Sequence, residues 1–165
     1  MTKSYIPTIN ISSLIKNNFE TQSAFKTIKK IEKACVKVGF FQVTGHGLNL
    51  KEIKEVCDVG NKFFNLPDSK KRELSPKKWN KKNKNLYRGY FPNDVNGKEG
   101  LDLGDLKVTK RYSSKLKNQY IECLNLGICF NKISIKALGQ YFDKIYNLSE
   151  TLFKSLIKLN KMNPN

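Results

Sequence analysis

The apolar period of the last segment constrains this chain most. Ile133, Leu138, Tyr141, Phe142, Ile145, Leu148, Leu152, Leu156 and Leu159 follow helical spacing, which predicts one long amphipathic helix over 131–160. At 1.5 Å per residue such a helix runs roughly 40 Å. It needs a broad apolar surface to lie on. The strands predicted ahead of it are few and short, so much of that surface is missing from the predicted elements. The fold class expected is therefore α+β, with helices packed on a few short strands.

Ahead of that helix the chain has no internal repeat. Ile9 and Ile11 alternate after Pro7 and predict a short strand. Phe25, Ile28, Ile31, Cys35 and Val38 recur at spacings of three and four, a helix over 22–38 that Gly39 stops. Phe40-Phe41-Gln42-Val43-Thr44 predicts a strand, closed by the tight turn Gly45-His46-Gly47. Asn49 is the expected cap of a second helix with Leu50, Ile53, Cys57 and Phe64 along its stripe. Leu66-Pro67 ends it, and Asp68 or Ser69 starts another short turn. Lys70 to Lys84 holds eight Lys or Arg residues and few apolar anchors. Strands are expected at 86–91 and 106–109 with a loop over 92–105, and 116–130 gives no clear pattern.

The chain has 165 residues, the size of one ordinary domain. Its 39% hydrophobic and 11% aromatic content excludes a disordered chain. The net charge of +17 comes from 31 basic residues, of which only Arg72, Arg88 and Arg111 are arginine. Detailed readers of bases or phosphates lean on arginine's bidentate fork. A lysine excess is also what an A/T-rich coding sequence produces, so the charge predicts solubility and salt-sensitive attraction to polyanions. The single histidine, His46, excludes a two-histidine iron site, a multi-histidine zinc site and a His-pair relay within this chain. Cys35, Cys57, Cys123 and Cys129 form no CxxC pair, and Cys35 and Cys57 are expected on apolar helix faces as reduced, structural thiols. Met1 to Pro7 has no apolar run of signal-peptide type, and no stretch approaches the ~18 apolar residues of a membrane span. A cytoplasmic protein without a membrane partner is expected.

Each candidate site carries two readings. His46 is an iron ligand or part of a structural turn in which Gly45 and Gly47 tolerate positive φ; a facial triad needs a second His and a carboxylate. Arg88 and Tyr90 contact a substrate carboxylate through the guanidinium, or are a surface arginine beside a core tyrosine. Glu99, Asp102 and Asp105 form a cation or acid/base site, or a solvated loop; their spacing matches no calcium loop. Gly97-Lys98-Glu99-Gly100 has the GxxG form of a KH loop, but lies between strand-like segments rather than helices. Lys70 to Lys84, with Trp79 and Tyr87, is a phosphate-binding and stacking surface or a solvated loop. No nucleophile elbow and no phosphate-binding glycine loop is present.

Five landmarks in order carry a resemblance. Ile6-Pro7-Thr8-Ile9-Asn10-Ile11 resembles the Ile-Pro-x-Ile-Asp opening of the isopenicillin N synthase-like family of iron(II)- and 2-oxoglutarate-dependent oxygenases. Val38-Gly39-Phe40-Phe41-Gln42-Val43-Thr44-Gly45-His46-Gly47 is similar to its Gly-Phe-Phe-x-Val-x-Asn-His-Gly stretch. Phe63-Phe64-Asn65-Leu66-Pro67 with Lys70-Lys71 resembles Phe-Phe-x-Leu-Pro-x-x-x-Lys. Arg88-Gly89-Tyr90 and Lys98-Glu99-Gly100-Leu101-Asp102 resemble the later Arg-Gly-Tyr and Lys-Glu-Gly-Phe-Asp landmarks. Residues 111–130 lack the Trp-Pro that many members carry.

The resemblance implies the family's non-haem dioxygenase N-terminal domain over 1–110, an irregular connection over 111–130, and a long helix over 131–160. That helix would back a double-stranded β-helix (jelly-roll) core whose barrel is missing here. The implied core carries His-x-Asp…His for iron(II) and Arg-x-Ser for 2-oxoglutarate. None of these ligands has a matching position in this sequence, so no catalytic or metal residue is assigned. Iron(II), 2-oxoglutarate and a small-molecule substrate are expected only of the intact enzyme. The expected partner is the missing barrel, on the same chain or a separate one. The alternatives are an interaction module docking a separate barrel, which predicts an exposed apolar patch on the long helix, and non-specific nucleic-acid binding.

Overall fold

Pro7 opens a strand because its fixed φ suits extended backbone, and Thr8–Asn10 forms β1. It pairs in parallel with β2, Gln42–Thr44, with Ile9 opposite Val43. The computed structural model describes residues 6–16, 19–94, 97–104 and 124–159, and the backbone alone for 160–162. Its chain divides into two units, residues 1–49 with 144–165, and residues 50–143.

In the first unit, α1 (Ser12–Ile15) follows β1, and α2 spans Gln22–Lys37. The Thr21 side chain caps α2 by accepting from the Ala24 N–H at 3.1 Å, one of the donors a helix start leaves orphaned. Gly39 stops it as expected: at φ +82 it and Val38 both donate to the Ala34 carbonyl. The buried stripe, however, is Ala24, Thr27, Ile28, Ile31 and Ala34. Phe25, Cys35 and Val38, expected to be buried, are exposed. The face is rotated by about one residue, because small Ala24 and Ala34 bring the helix close where Phe25 and Cys35 would hold it off. Ile9, Ile11, Leu14, Ala24, Ile28, Ile31, Ala34 and Leu159 make the core, with Phe41, Val43, Leu148, Leu152 and Leu156 packed against it. Phe40, expected in the strand, precedes β2 and is 71% exposed.

In the second unit, α3 spans Leu50–Phe64 and buries Val59 and Phe63. Leu50 and Cys57, expected on its buried stripe, are exposed. The Phe63 ring sets the face: it stacks on Phe130 at 5.2 Å and meets Tyr90 edge-on at 5.8 Å. Pro67 opens α4, Asp68–Lys71, and a 3-10 turn follows at Arg72–Leu74. Strand β3 is only Gly89–Phe91; Leu86 and Tyr87, expected in it, are exposed and precede it. Its antiparallel partner is β4, Gly100–Asp102, inside the segment expected as loop. The strand expected at 106–109 and the unclear residues up to 123 lie outside the described residues. A 3-10 turn at Leu126–Ile128 buries Leu126.

The expected long helix is α5, Lys132–Met162, roughly 46 Å by the rise per residue. Its first twelve residues belong to the second unit, where Ile135 and Leu138 pack on the core, and the rest to the first. Ile133 is 74% exposed and leaves the expected stripe, which Ala137 joins instead. The chain is thus α+β with four short strands among the described residues.

Candidate functional site

The quoted landmarks of the second unit converge on one carboxylate. Glu99 Oε2 accepts from Lys71 Nζ at 2.6 Å and from the Tyr90 hydroxyl at 2.7 Å. Lys71 also donates to the Phe64 carbonyl at 3.3 Å and sits 5.1 Å from the centre of the Tyr90 ring. Tyr90 is 1% exposed, and its oxygen lies 3.1 Å from Asp68 Oδ1. A hydroxyl has one proton to give, so the shorter contact marks Glu99 as its main acceptor.

This arrangement sets the protonation states. Hydrogen bonds from Lys71 and then Tyr90 hold the Glu99 carboxyl below its usual range. Burial, followed by the bond to Glu99, pushes the Tyr90 hydroxyl well above its own. Beside this cluster Arg72 Nε donates to Asp68 at 2.5 Å and its terminal nitrogens grip Asp94 at 2.9 and 2.7 Å, a bidentate pair. Both carboxyls are lowered, chiefly by Arg72.

Arg88 precedes β3, is well exposed, and donates from Nη1 to Asp102 Oδ1 at 2.7 Å across the β3–β4 pair. Arg88 and Tyr90, paired as candidates on sequence, therefore take different carboxylates. Gly89 between them has φ +116, and a Cβ there would run into the Leu74 carbonyl. Asn85 closes the same turn by donating to the Leu74 and Arg88 carbonyls.

Glu99 and Asp102 are thus ion-pair partners and not members of a solvated loop or a paired-carboxylate site; Asp105 lies outside the described residues. Lys70 to Lys84 is likewise not one solvated run. Lys71 is buried, Leu74, Ser75 and Pro76 are buried, and Asn83 ties the segment by donating to the Glu73 and Ser75 carbonyls. One side of Trp79 carries Lys78 Nζ, 4.7 Å from the ring centre, and the ring meets Phe91 edge-on. Sequence reasoning missed the Lys71–Glu99 pair, although both residues stand inside quoted landmarks. Nothing local ties positions 28 apart.

In the first unit Gly45 and Gly47 have φ +67 and +76, the left-handed region that favours glycine. A Cβ on Gly45 would run into Asn10 Oδ1, which accepts from the Ser12 N–H two residues on, between β1 and α1. His46 Nδ1 accepts from the Leu48 N–H at 3.1 Å, so the ring proton is on Nε2. His46 also lines a cleft of about 480 Å³ with Ile15, Lys144, Asn147, Thr151 and Lys154. Iron(II) held by two histidines and a carboxylate does not fit this chain, which has one histidine. Among the described residues no three His, Cys, Asp or Glu side chains converge.

Residues 6–125 match the family described as non-haem dioxygenase in morphine synthesis, N-terminal. The chain is 31% identical over 102 residues to the 2-oxoglutarate-dependent dioxygenase tropC of Talaromyces stipitatus, covering 62% of this chain and 30% of that one. It is 35% identical over 109 residues to the 2-oxoglutarate-dependent dioxygenase eupC of a Phoma species, covering 66% and 34%. Jasmonate-induced oxygenase 3 of Arabidopsis thaliana matches at 29% over 154 residues, covering 93% and 39%. The chain therefore spans about a third of the length of these relatives. Its fold is similar to that of the dioxygenase for auxin oxidation in rice, with a TM-score of 0.56 at 20% identity over 92% of this chain and 45% of that one. From the match over residues 6–125, the chain belongs to the N-terminal domain of the non-haem, 2-oxoglutarate-dependent dioxygenase family.

Proposed function

We propose that this chain is the structural N-terminal part of an iron(II)- and 2-oxoglutarate-dependent oxygenase and has no turnover by itself. One observation carries the reading. The landmark residues go into packing, turns and ion pairs, with Lys71, Tyr90 and Glu99 spent on one another. In this reading iron and 2-oxoglutarate are held by a jelly-roll barrel on the same chain or a separate one. The second face of α5 supports such a partner: Tyr146, Phe153 and Ile157 recur at helical spacing and are 55%, 64% and 41% exposed.

In the whole enzyme Arg88, whose side chain is well exposed next to β3, would hold a substrate carboxylate through its guanidinium fork. Tyr90, buried and bonded to Glu99, then positions that strand without touching substrate. The free thiols Cys35, Cys57 and Cys129 suit a reducing, cytoplasmic setting. No helix among the described residues is long and apolar enough to cross a membrane.

The test is to sequence the transcript past the Asn165 codon and express whatever reading frame it encodes. A His-x-Asp…His barrel, with succinate formation by the complete product, is the expected result. If there is no such barrel in frame, and no separately encoded barrel binds the chain and turns over 2-oxoglutarate, the proposal fails.

A further inference from the structure

We propose that the open edge of β1 is a docking site for an extended, acidic peptide segment. The inference stands on the first unit alone.

The backbone supplies the first observation. Gln42 donates to the Pro7 carbonyl and Ile11 to the Thr44 carbonyl, both at 2.9 Å. In a parallel ladder alternate residues face the partner, so Pro7, Ile9 and Ile11 face β2 while Thr8 and Asn10 turn their backbone groups the other way. No strand pairs with that second edge among the described residues. An exposed edge is a template for another strand unless something blunts it.

The side chains supply the second. A groove of about 400 Å³ lies between Pro7, Thr8 and Ile9 and one side of α2, and so reaches this edge at Thr8. Ala34 and Val38 give it an apolar floor, and Lys30, Lys33 and Lys37 line it. Those lysines enter none of the described ion pairs, whereas Lys29 on the same helix bonds Glu32. Spaced three and four apart, they form one row roughly 10 Å long. Alternate residues of an added strand stand ~7 Å apart on one face, so two carboxylates at alternate positions reach along the row. Strand addition supplies affinity through the main chain and selectivity through alternate side chains. A second copy of this chain is the poorer occupant, because it would set one lysine row against another.

Binding of a fluorescein-labelled, seven-residue peptide with Glu at alternate positions and Val or Thr between tests this on the 165-residue chain, by anisotropy near physiological salt. Replacing every Glu by Gln, or N-methylating alternate backbone nitrogens, is expected to weaken binding at least tenfold. So is the double variant Lys33→Glu, Lys37→Glu, with Lys30→Gln, Lys33→Gln, Lys37→Gln as a second variant should the first fail to fold. Equal binding by a folded lysine variant would show that the groove is not the site. Undiminished binding of the N-methylated peptide would reduce the contact to charge attraction and overturn strand addition. Concentration-dependent self-association that the acidic peptide does not displace would make the occupant a second copy and overturn the assignment.

Discussion

Lys71 and Glu99, 28 positions apart, form the least exposed ion pair among those described, with the Lys71 side chain 10% and the Glu99 side chain 33% exposed. The pair ties the end of α4 to the approach to β4, and Tyr90 of β3 bonds to the same oxygen. Removing one partner leaves the other charge poorly solvated. With Glu99 a third exposed, water screens part of that penalty. Lys71→Met and Glu99→Gln are each expected to lower stability by about 1–2 kcal/mol in urea unfolding, and the double variant by less than their sum.

Acidification acts through the same carboxyl. Its folded pKa is depressed below an unfolded value of about 4.3. The stability it contributes is present above that value and is lost as pH falls through the lower, folded one. Unfolding midpoints measured from pH 6 down to pH 3 should fall less steeply in Glu99→Gln than in the parent chain.

Tyr90 titrates the other way. Its folded pKa is raised above an ordinary ~10, so its contribution is full below pH 10 and is lost as pH rises beyond it. Absorbance at alkaline pH should show one tyrosine that ionises only on unfolding and disappears in Tyr90→Phe. That variant keeps the ring against Phe63 and is expected to cost about 1 kcal/mol, whereas Tyr90→Ala should cost about 3–5.

Two glycines of one turn are predicted to differ. Gly45 and Gly47 both have positive φ, but a Cβ meets Asn10 only at Gly45 and open space at Gly47. Gly47→Ala should cost about 1 kcal/mol, the left-handed strain alone. Gly45→Ala adds displacement of the Asn10 side chain from its bond to the Ser12 N–H and should cost about 2–4 kcal/mol. Thermal unfolding of the two variants reads the difference.

Thiol labelling checks the corrected helix faces. Cys35 and Cys57 are exposed and should be alkylated in the native protein within minutes. Cys129 donates to the Lys70 carbonyl and burial raises its thiol pKa, so it should react markedly more slowly. Mass spectrometry of the labelled peptides separates the three.

Local chemistry was legible in the sequence, and contacts across sequence distance were not. Pro7, the Gly39 stop, the Gly45-His46-Gly47 turn and α5 each follow from residues within a few positions, and the structure has them where the pattern put them. The buried face of α2 differs from the one its apolar pattern predicts, because Phe25 and Cys35 are more apolar than Ala24 and Ala34 yet small side chains let a helix approach its core. Strand β4 is hidden inside a loop-like Gly, Asp and Asn composition; its pairing with β3, Gly89 opposite Asp102, Tyr90 opposite Leu101 and Phe91 opposite Gly100, defines it. Lys71 looked like any lysine of a basic run, because Glu99 lies beyond sequence reach. The landmarks named the residues of the cluster, but not that they bond one another.

The most direct measurement is 2-oxoglutarate turnover by the 165-residue chain with iron(II), ascorbate and dioxygen, read as succinate. The account predicts no succinate above the iron-only control, and no change in His46→Ala. Succinate formed in proportion to protein and abolished by His46→Ala would contradict it, because His46 would then serve the metal and not the turn.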